Sequence, residues 1–345
     1  MPCIVFTGGG SIGHIAPAVA VARQLKGTDV HFICSTKNDD RQFLRKEGFT
    51  DITQINAPRP GIAFPWKFWK AYRKARHILE EKKPRVVFSK GGYVSVPVCF
   101  AAHLLSIPIV LHESDVVSGY ANRIVARWAN HICLGFPKET MNKSRETYTG
   151  NPIRPGMNSG SAEEGIRLAG LEGRNKPIVL AIGGSQGAAA LNAFIVHHLH
   201  NILRTFDIIH ITGKGKHGFR HPHEGYWSTE FADEELCHLY AATDIAVSRA
   251  GMNVIGELAA NAIPSILIPL RKVAHDHQQK NAVMIRNAGG CLIVQQKEME
   301  QALLKKMKYL NEDADLRKKL SRNMRQFFLP DAAGQIANIL VRYLA

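Results

Sequence analysis

No Cys-x-x-Cys pair occurs anywhere in the 345 residues. The six cysteines (Cys3, Cys34, Cys99, Cys133, Cys237 and Cys291) are scattered, most of them inside apolar runs. That distribution fits reduced core residues of a cytosolic protein rather than a disulfide framework. Low-complexity tracts are missing too, and so is an uninterrupted apolar span. The longest such stretch, "VSVPVCFAAHLLSIPIVL", carries His103, two serines and two prolines, and reads as a buried helix and strand. The first strand run begins almost at Met1 and leaves no room for a signal peptide. Acidic residues are few against basic ones, 29 to 44, for a net charge of +15. Such a surplus calls for a polyanionic partner, either nucleic acid or an anionic membrane surface.

What is present is alternation. Apolar strand runs ("CIVFT", "VHFIC", "RVVFS", "PIVLH", "HICLG", "PIVLAIGG", "DIIHIT", "DIAVS", "PSILIPL") alternate with helical stretches, the sign of parallel sheets with crossover helices. One device occurs twice. "CIVFTGGGSIGHIAPAVAVA" and "PIVLAIGGSQGAAALNAFIV" each read as strand, glycine turn and helix. The length suits two domains, and each half reads as a doubly wound domain with its own glycine loop. Between them "TGNPIRPGMNSGSAEEG" reads as a linker, followed by a helix for which Ser161 and Glu164 have capping-box spacing. Charged helix runs from about Lys297 to Arg325. A closing amphipathic helix places Ile336, Ile339, Leu340, Tyr343 and Leu344 on one face. Two such domains facing across a cleft would hold a ligand between them.

Amides at a helix N-terminus bind phosphate without side chains. "GGGSIG" lacks the Lys-Ser/Thr ending of an ATP loop, and no acidic residue ends "VHFIC" as a nicotinamide site requires. A tight turn packing helix on strand is the plainer alternative for either loop. In "DIAVSRAGMNVIGELAA" the turn at Ala250–Gly251 opens a helix whose first turn holds Met252 to Val254, with Glu257 one turn further. A diphosphate at the helix end and ribose hydroxyls on Glu257 would make a nucleotide-diphosphate site; otherwise Glu257 is a solvated helix residue. "DAD" at 313–315 looks like a metal-binding Asp-x-Asp, but its Lys/Arg-rich helical setting argues against that role. "HHLH" (197–200) and "HPHE" (221–224) lack a third ligand at zinc spacing. No metal and no cofactor is therefore expected, and Arg154 in "NPIR" is a candidate cation for a leaving diphosphate. His14 stands just past the first glycine turn, where a plain phosphate cradle needs no ionisable group.

In "RPGIAFPWKFWKAYRKARHILEEKKPR", Pro65 suits a first helical turn. Phe68, Tyr72, Ala75 and Leu79 fall on one face, and Trp66, Trp69, Lys70, Arg73 and His77 on the other. Two exposed tryptophans among cations suit a membrane interface, with Ile62 and Phe64 dipping in beside them. Nucleic-acid stacking and an ordinary solvated helix are the alternatives. No recognition helix or aromatic RNA-binding signature favours nucleic acid.

Seven stretches, "GGGSIGHIAPAVAVA", "KGGYVSVPV", "IPIVLHESD", "GNPIR", "GGSQGAAALN", "SRAGMNVIGE" and "DHQQKNA", occur in the order found in a known family. The chain resembles, over essentially its whole length, the MurG family of GT-B glycosyltransferases. The resemblance implies two Rossmann-like domains. An N-terminal acceptor and membrane-associating domain would span 1–156 and a C-terminal UDP-sugar domain 157–325, with a helix at 326–345 that could pack back on the first. It implies inverting transfer of N-acetylglucosamine from UDP-N-acetylglucosamine to the C4 hydroxyl of polyprenyl-linked lipid I, at the cytoplasmic face of the membrane. Another GT-B transfer to a membrane lipid such as diacylglycerol is the alternative. By matching position, Ser11, Ile12 and Gly13 would border the sugar and acceptor. Arg154 and Ser185 would contact the donor, and the backbone near Ala232 would hold uracil. Met252, Asn253 and Val254 would take the α-phosphate, Glu257 the ribose, and Gln278 and Gln279 the sugar hydroxyls. Asp115 would lie near the donor sugar, with further substrate contacts from Asn122 and Gln186. Three positions depart from the commonest pattern: Ile12 replaces a glycine, "HESD" replaces His-Glu-Gln-Asn, and "AGMNVIGE" lacks the usual hydroxyl near the phosphate. The attacking hydroxyl must shed a proton, and His14 is the candidate general base, against a helix-capping or core histidine.

Overall fold

The computed structural model describes residues 1–10, 12–57, 64–138, 140–184, 187–216, 223–270 and 276–344, without the side chains of Ile12, Asn38 and Phe64. Two compact units emerge, one made of Met1–Arg154 with Asp331–Ala345 and the other of Pro155–Pro330.

The first unit runs β1 (Cys3–Thr7), α1 (Ile12–Ala22), β2 (Asp29–Ser35), α2 (Asn38–Lys46), β3 (Ile52–Ile55) and α3 (Phe64–Lys82). It continues with β4 (Val86–Ser89), α4 (Ser95–Leu104), β5 (Ile109–Glu113), α5 (Tyr120–Val125), β6 (His131–Leu134) and β7 (Glu146–Tyr148). Its strands pair in parallel in the order β3-β2-β1-β4-β5-β6-β7. Alternate residues of each central strand serve opposite faces, as the pleat requires. Ile4, Phe6, Phe32, Cys34, Val86 and Phe88 join one buried cluster with α1. Val5, Ile33 and Val87 join the other, with Tyr72, Ala75 and Leu79 of α3 and Val98 and Ala102 of α4. Burial on both faces is why these strands are apolar throughout.

The second unit runs α6 (Ala162–Leu168), β8 (Ile178–Ile182), α7 (Ala189–Leu203), β9 (Asp207–Ile211), β10 (Tyr226–Thr229), α8 (Leu236–Ala241) and β11 (Ile245–Ser248). Then come α9 (Met252–Ala260), β12 (Ser265–Leu267), α10 (His277–Asn287), β13 (Cys291–Ile293), α11 (Met299–Glu312) and α12 (Ala314–Arg325). The parallel order is β10-β9-β8-β11-β12-β13. The last helix, α13 (Ala332–Val341), belongs to the first unit: Ile336, Ile339 and Leu340 share the cluster of α1 and β1.

Four strands that the apolar runs did not announce, β3, β7, β10 and β13, form the four sheet edges. Of the capping box, half is made: Ser161 Oγ accepts from Glu164 N at 3.2 Å, while the Glu164 carboxylate turns to Arg167 instead. α6 lies close against α8, and only glycine allows it. A Cβ on Gly165 would sit 2.1 Å from the His238 carbonyl oxygen. Gly165→Ala should lower stability by about 1–3 kcal/mol through overpacking. Urea unfolding should show this as a lower midpoint with an unchanged slope.

Candidate active site

An open parallel sheet presents its binding loops where the strand order reverses, beyond the carboxyl ends of the two strands that flank the reversal. In the first unit those strands are β1 and β4. The turn after β1 holds Gly8 to Gly10, and the turn after β4 holds Lys90 to Gly92. These turns lie against each other. A Cβ on Gly92 would fall 2.9 Å from the Gly9 carbonyl oxygen, and one on Gly8 would fall 3.3 Å from Lys90 Cβ. Gly9, at φ +143°, also has Asp40 Oδ2 2.6 Å from where its Cβ would be. The first glycine turn is thus shaped by close packing.

It is not an open phosphate cradle. Asp40, buried at the first turn of α2, accepts from Gly10 N at 2.7 Å and from Ser35 Oγ at 2.5 Å, while Lys37 Nζ donates to the Gly10 carbonyl at 2.8 Å. A carboxylate already occupies the place where a loop amide would meet a phosphate. No acid ends β2 itself; Asp40 reaches this position from the next helix, beyond a strand-end reading.

His14 sits on the first turn of α1, half-buried, with Gly92 alongside its Cδ2. Its ring hydrogen-bonds to the main chain of Lys90. Burial first, and then the Lys90 charge, hold it below the usual histidine range, against Asp115 and Asp40. A neutral ring with one nitrogen committed to the backbone keeps the other as an acceptor. Around it lies a polar cluster from "HESD". Lys90 Nζ donates to Ser114 Oγ, which lies 3.5 Å from His112 Nδ1, while His112 Nε2 is 3.0 Å from the Gly150 carbonyl oxygen. Glu113, buried at the end of β5, accepts from Asn122 Nδ2 at 2.9 Å and from Asp115 N at 3.1 Å. Burial and the nearby Asp115 raise its pKa. Asn122 therefore orients Glu113, and its own Oδ1 is buried with no hydrogen-bond partner among the described residues. Asn151 Nδ2 donates to the Ser114 and Gly135 carbonyls and ties the "GNPIR" turn to this cluster, leaving Arg154 half-buried at the last residue of the unit's first segment. Gly13 lies in the same first turn of α1. Ser11 and the Ile12 side chain lie outside the described residues.

In the second unit the reversal falls at β8 and β11. A Cβ on Gly187, at φ +66°, would fall 2.1 Å from the Thr212 carbonyl oxygen, so this glycine too permits close backbone approach. Ser185 and Gln186 lie outside the described residues. After β11, Gly251 caps α9 with no side-chain hydrogen bond, and the first turn of α9 is formed by Met252, Asn253 and Val254. Glu257 is not a solvated helix residue: it is 8 % exposed and accepts from Tyr240 Oη at 2.8 Å. Behind the turn stands Arg249, buried, with Nη1 on the Ile268 carbonyl (3.1 Å) and Nη2 on Gln296 Oε1 (2.8 Å). Burial lowers its pKa, and among the described residues Nε has no hydrogen-bond partner. Buried Asn281 donates to the Ala250 carbonyl at 3.3 Å and fixes the turn from α10. Gln278 Oε1 accepts from Leu270 N at 3.0 Å, which orients the amide and leaves its NH2 to donate to a ligand hydroxyl. Gln279 Oε1 is buried and, among the described residues, without a hydrogen-bond partner, which leaves it to accept from a hydroxyl. Ala232 is buried just beyond β10.

The other polar motifs have local roles. Asp313 caps α12, accepting from Leu316 N at 2.8 Å. His198 pairs with Glu300 at 2.6 Å, and the His200 and His223 rings meet edge to face. Among the described residues, no group of three or more His, Cys, Asp or Glu is arranged to hold a metal ion.

Sequence reasoning missed Lys90, Asp40, Glu113, Arg249 and Asn281. For Lys90 and Arg249 the signal was a cation at the very end of an apolar strand, immediately before a glycine turn.

Comparison with known proteins agrees with this arrangement. The glycosyltransferase family 28 N-terminal domain matches residues 4–134, and the family 28 C-terminal domain matches residues 178–336. A curated UDP-N-acetylglucosamine–N-acetylmuramyl-(pentapeptide) pyrophosphoryl-undecaprenol N-acetylglucosamine transferase of Clostridium botulinum is 36% identical over 356 residues, covering 99% of both chains. The same-named protein of Lachnoclostridium phytofermentans is 36% identical over 353 residues, covering 99% of this chain and 98% of its own. Among solved structures, Acinetobacter baumannii MurG superposes with a TM-score of 0.78 at 24% identity, over 99% of this chain and 100% of that one. A UDP-GlcNAc 2-epimerase from Neisseria meningitidis bound to UDP-GlcNAc shares the fold at a TM-score of 0.69 and 13% identity, over 99% and 100%.

Proposed function

The chain belongs to glycosyltransferase family 28, and from that premise we propose that it moves N-acetylglucosamine from UDP-N-acetylglucosamine to the C4 hydroxyl of polyprenyl-diphosphate-linked N-acetylmuramyl-pentapeptide, forming the disaccharide lipid of peptidoglycan synthesis. The observation that carries this reading is similarity at 36% identity along 99% of the chain to transferases so named. The alternative acceptor, diacylglycerol, has no such support.

In the proposed step, the C4 oxygen of the acceptor forms a bond to the anomeric carbon while the bond from that carbon to the UDP oxygen breaks on the opposite face, inverting the centre. The hydroxyl proton passes to the free ring nitrogen of His14. The first turn of α9 supplies amides and a helix dipole for the diphosphate, with Arg154 as a further cation. Glu257, oriented by Tyr240, accepts from the ribose hydroxyls. Gln278 and Gln279 read the sugar hydroxyls, the first as donor and the second as acceptor, and the backbone at Ala232 holds uracil. Ser185 and Gln186 would add donor contacts, and Asp115, Gly13, Ser11 and Ile12 would border the sugar and acceptor. Asn122 would act through Glu113. Mixing the protein with UDP-N-acetylglucosamine and lipid I should release UDP and yield a disaccharide-lipid, whereas a diglyceride should give neither. Release with the diglyceride alone would overturn the acceptor assignment.

No helix among the described residues is long and apolar enough to cross a membrane. We assign contact with an anionic bilayer surface on the cytoplasmic side to α3. Trp66 and Trp69 are 81% and 54% exposed, flanked by exposed Lys67, Lys70 and Arg73, while Tyr72, Ala75 and Leu79 are buried on the opposite face. α4 packs beside α3 and α5 beside α4, and they add exposed Leu104, Tyr120 and Ile124. Indole rings and cations together suit the headgroup layer. Ile62 and the Phe64 side chain, expected in the same contact, lie outside the described residues. Sedimentation with anionic vesicles should fall by about tenfold in a Trp66→Ala/Trp69→Ala variant and fall again at high salt. Binding that ignores both lipid charge and these tryptophans would refute the assignment.

A further inference from the structure

Lys90 directly follows β4 at the strand reversal and is 3 % exposed. Its stem starts against Gly8, and among the described residues its ammonium hydrogen-bonds only to Ser114 Oγ, a neutral partner. A buried ammonium tied only to a hydroxyl destabilises a fold. A methylene stem alone would fill the same space, so the charge calls for another explanation. The neighbour that matters is His14, one turn into α1, with the 90–92 segment running beside its ring.

We infer that Lys90 is a positioning residue for the transfer: anchored by Ser114 between the first glycine turn and the "HESD" loop, its fixed positive charge opposes protonation of the His14 ring and so keeps that ring a proton acceptor near neutral pH. The inference rests on the reading of His14 as the base.

The charged groups facing the pair define the balance. Asp115 and Asp40 both favour the imidazolium form of His14, while burial and Lys90 oppose it. Asp40 is already engaged by Gly10 N and Ser35 Oγ. Lys90 is itself faced by Glu113 and Asp115, which favour its charge, while burial brings it down to about 8. Lys90 also disfavours protonation of His112, whose Nε2 is engaged by the Gly150 carbonyl. Lys90 therefore stays charged across the neutral range and loses its influence above it.

The test is Lys90→Met, which keeps the buried stem and removes the charge. Two quantities are read against pH in the intact protein: kcat/KM for transfer, and the protonation midpoint of His14 from its isotope-labelled ring. The midpoint should rise and the acid limb of kcat/KM should rise with it. The variant should then lose activity several-fold near about pH 6 and converge with the parent at higher pH, where the His14 ring is unprotonated in both. Lys90→Arg, which keeps the charge, should retain the parent limb. If Lys90→Met does not fold, Lys90→Gln removes the same charge. An unchanged His14 midpoint in either folded, uncharged variant would overturn the inference. A midpoint that rises while the acid limb stays put would remove His14 as the base, and with it the role of Lys90 in the transfer.

Discussion

Replacing His14 with alanine or glutamine should lower the turnover number by about 10²–10⁴-fold, the range that a positioned general base contributes, while UDP affinity stays within about twofold. The split follows from where the residues sit. His14 belongs to the first unit, at the first turn of α1, and the turn assigned to the diphosphate belongs to the second. The ring is half-buried, bonded to the Lys90 main chain, and biased toward its neutral form by burial and by Lys90. The pH sense follows from that bias. A base works only when unprotonated, so activity is lost as pH falls through its pKa. Because that pKa lies below the usual histidine value, the acid limb of kcat/KM should lie lower than that of an exposed histidine. Substitution should remove this limb altogether. Turnover that survives in His14→Ala would leave the residue as a helix-capping or packing histidine.

The second large effect is expected at Glu257. Glu257→Ala should cut kcat/KM for the donor by about 100-fold or more, since hydrogen bonds to a charged group contribute roughly 1.5–3 kcal/mol each and two ribose hydroxyls are involved. The loss should appear in UDP binding as well as in the donor KM, the opposite of the His14 pattern. Tyr240→Phe should show a weaker version of the same defect, because it removes only the 2.8 Å bond that orients the carboxylate. Calorimetry with UDP alone would decide: unchanged affinity in Glu257→Ala would leave the Tyr240–Glu257 contact as internal packing.

Which parts of this could be read from the residue string has a physical explanation. Central strands such as Cys3–Thr7, Val86–Ser89 and Ile178–Ile182 are covered on both faces, so their apolar runs announce them. Edge strands have a neighbour on one side only and tolerate polar residues. "ITQI", "ETY" and "YWST" are half-buried apart from buried Ile55 and carry no such run. The glycine turns were legible because close backbone approach leaves few residue choices. Their meaning was less so. The first looked like a phosphate cradle until Asp40, thirty residues on, proved to occupy the Gly10 amide. Glu257 had two readings because helical spacing cannot say what stands opposite; the partner is Tyr240, on a different helix. Lys90 and Arg249 were hidden for a similar reason. A cation at a strand end gives no sign of its burial until the loops of other strands close over it.

The return of α13 to the first unit has a consequence for how the chain is made. Ile336, Ile339 and Leu340 pack with Ile4, Phe6 and Val19, so the core begun by the earliest residues is finished by some of the latest. A ribosome delivers those helical residues only after all of Pro155–Pro330 has emerged. The amino-terminal sheet must therefore wait with part of one apolar face, the part α13 covers beside α1, exposed, while the intervening unit, contiguous in the message, can fold first.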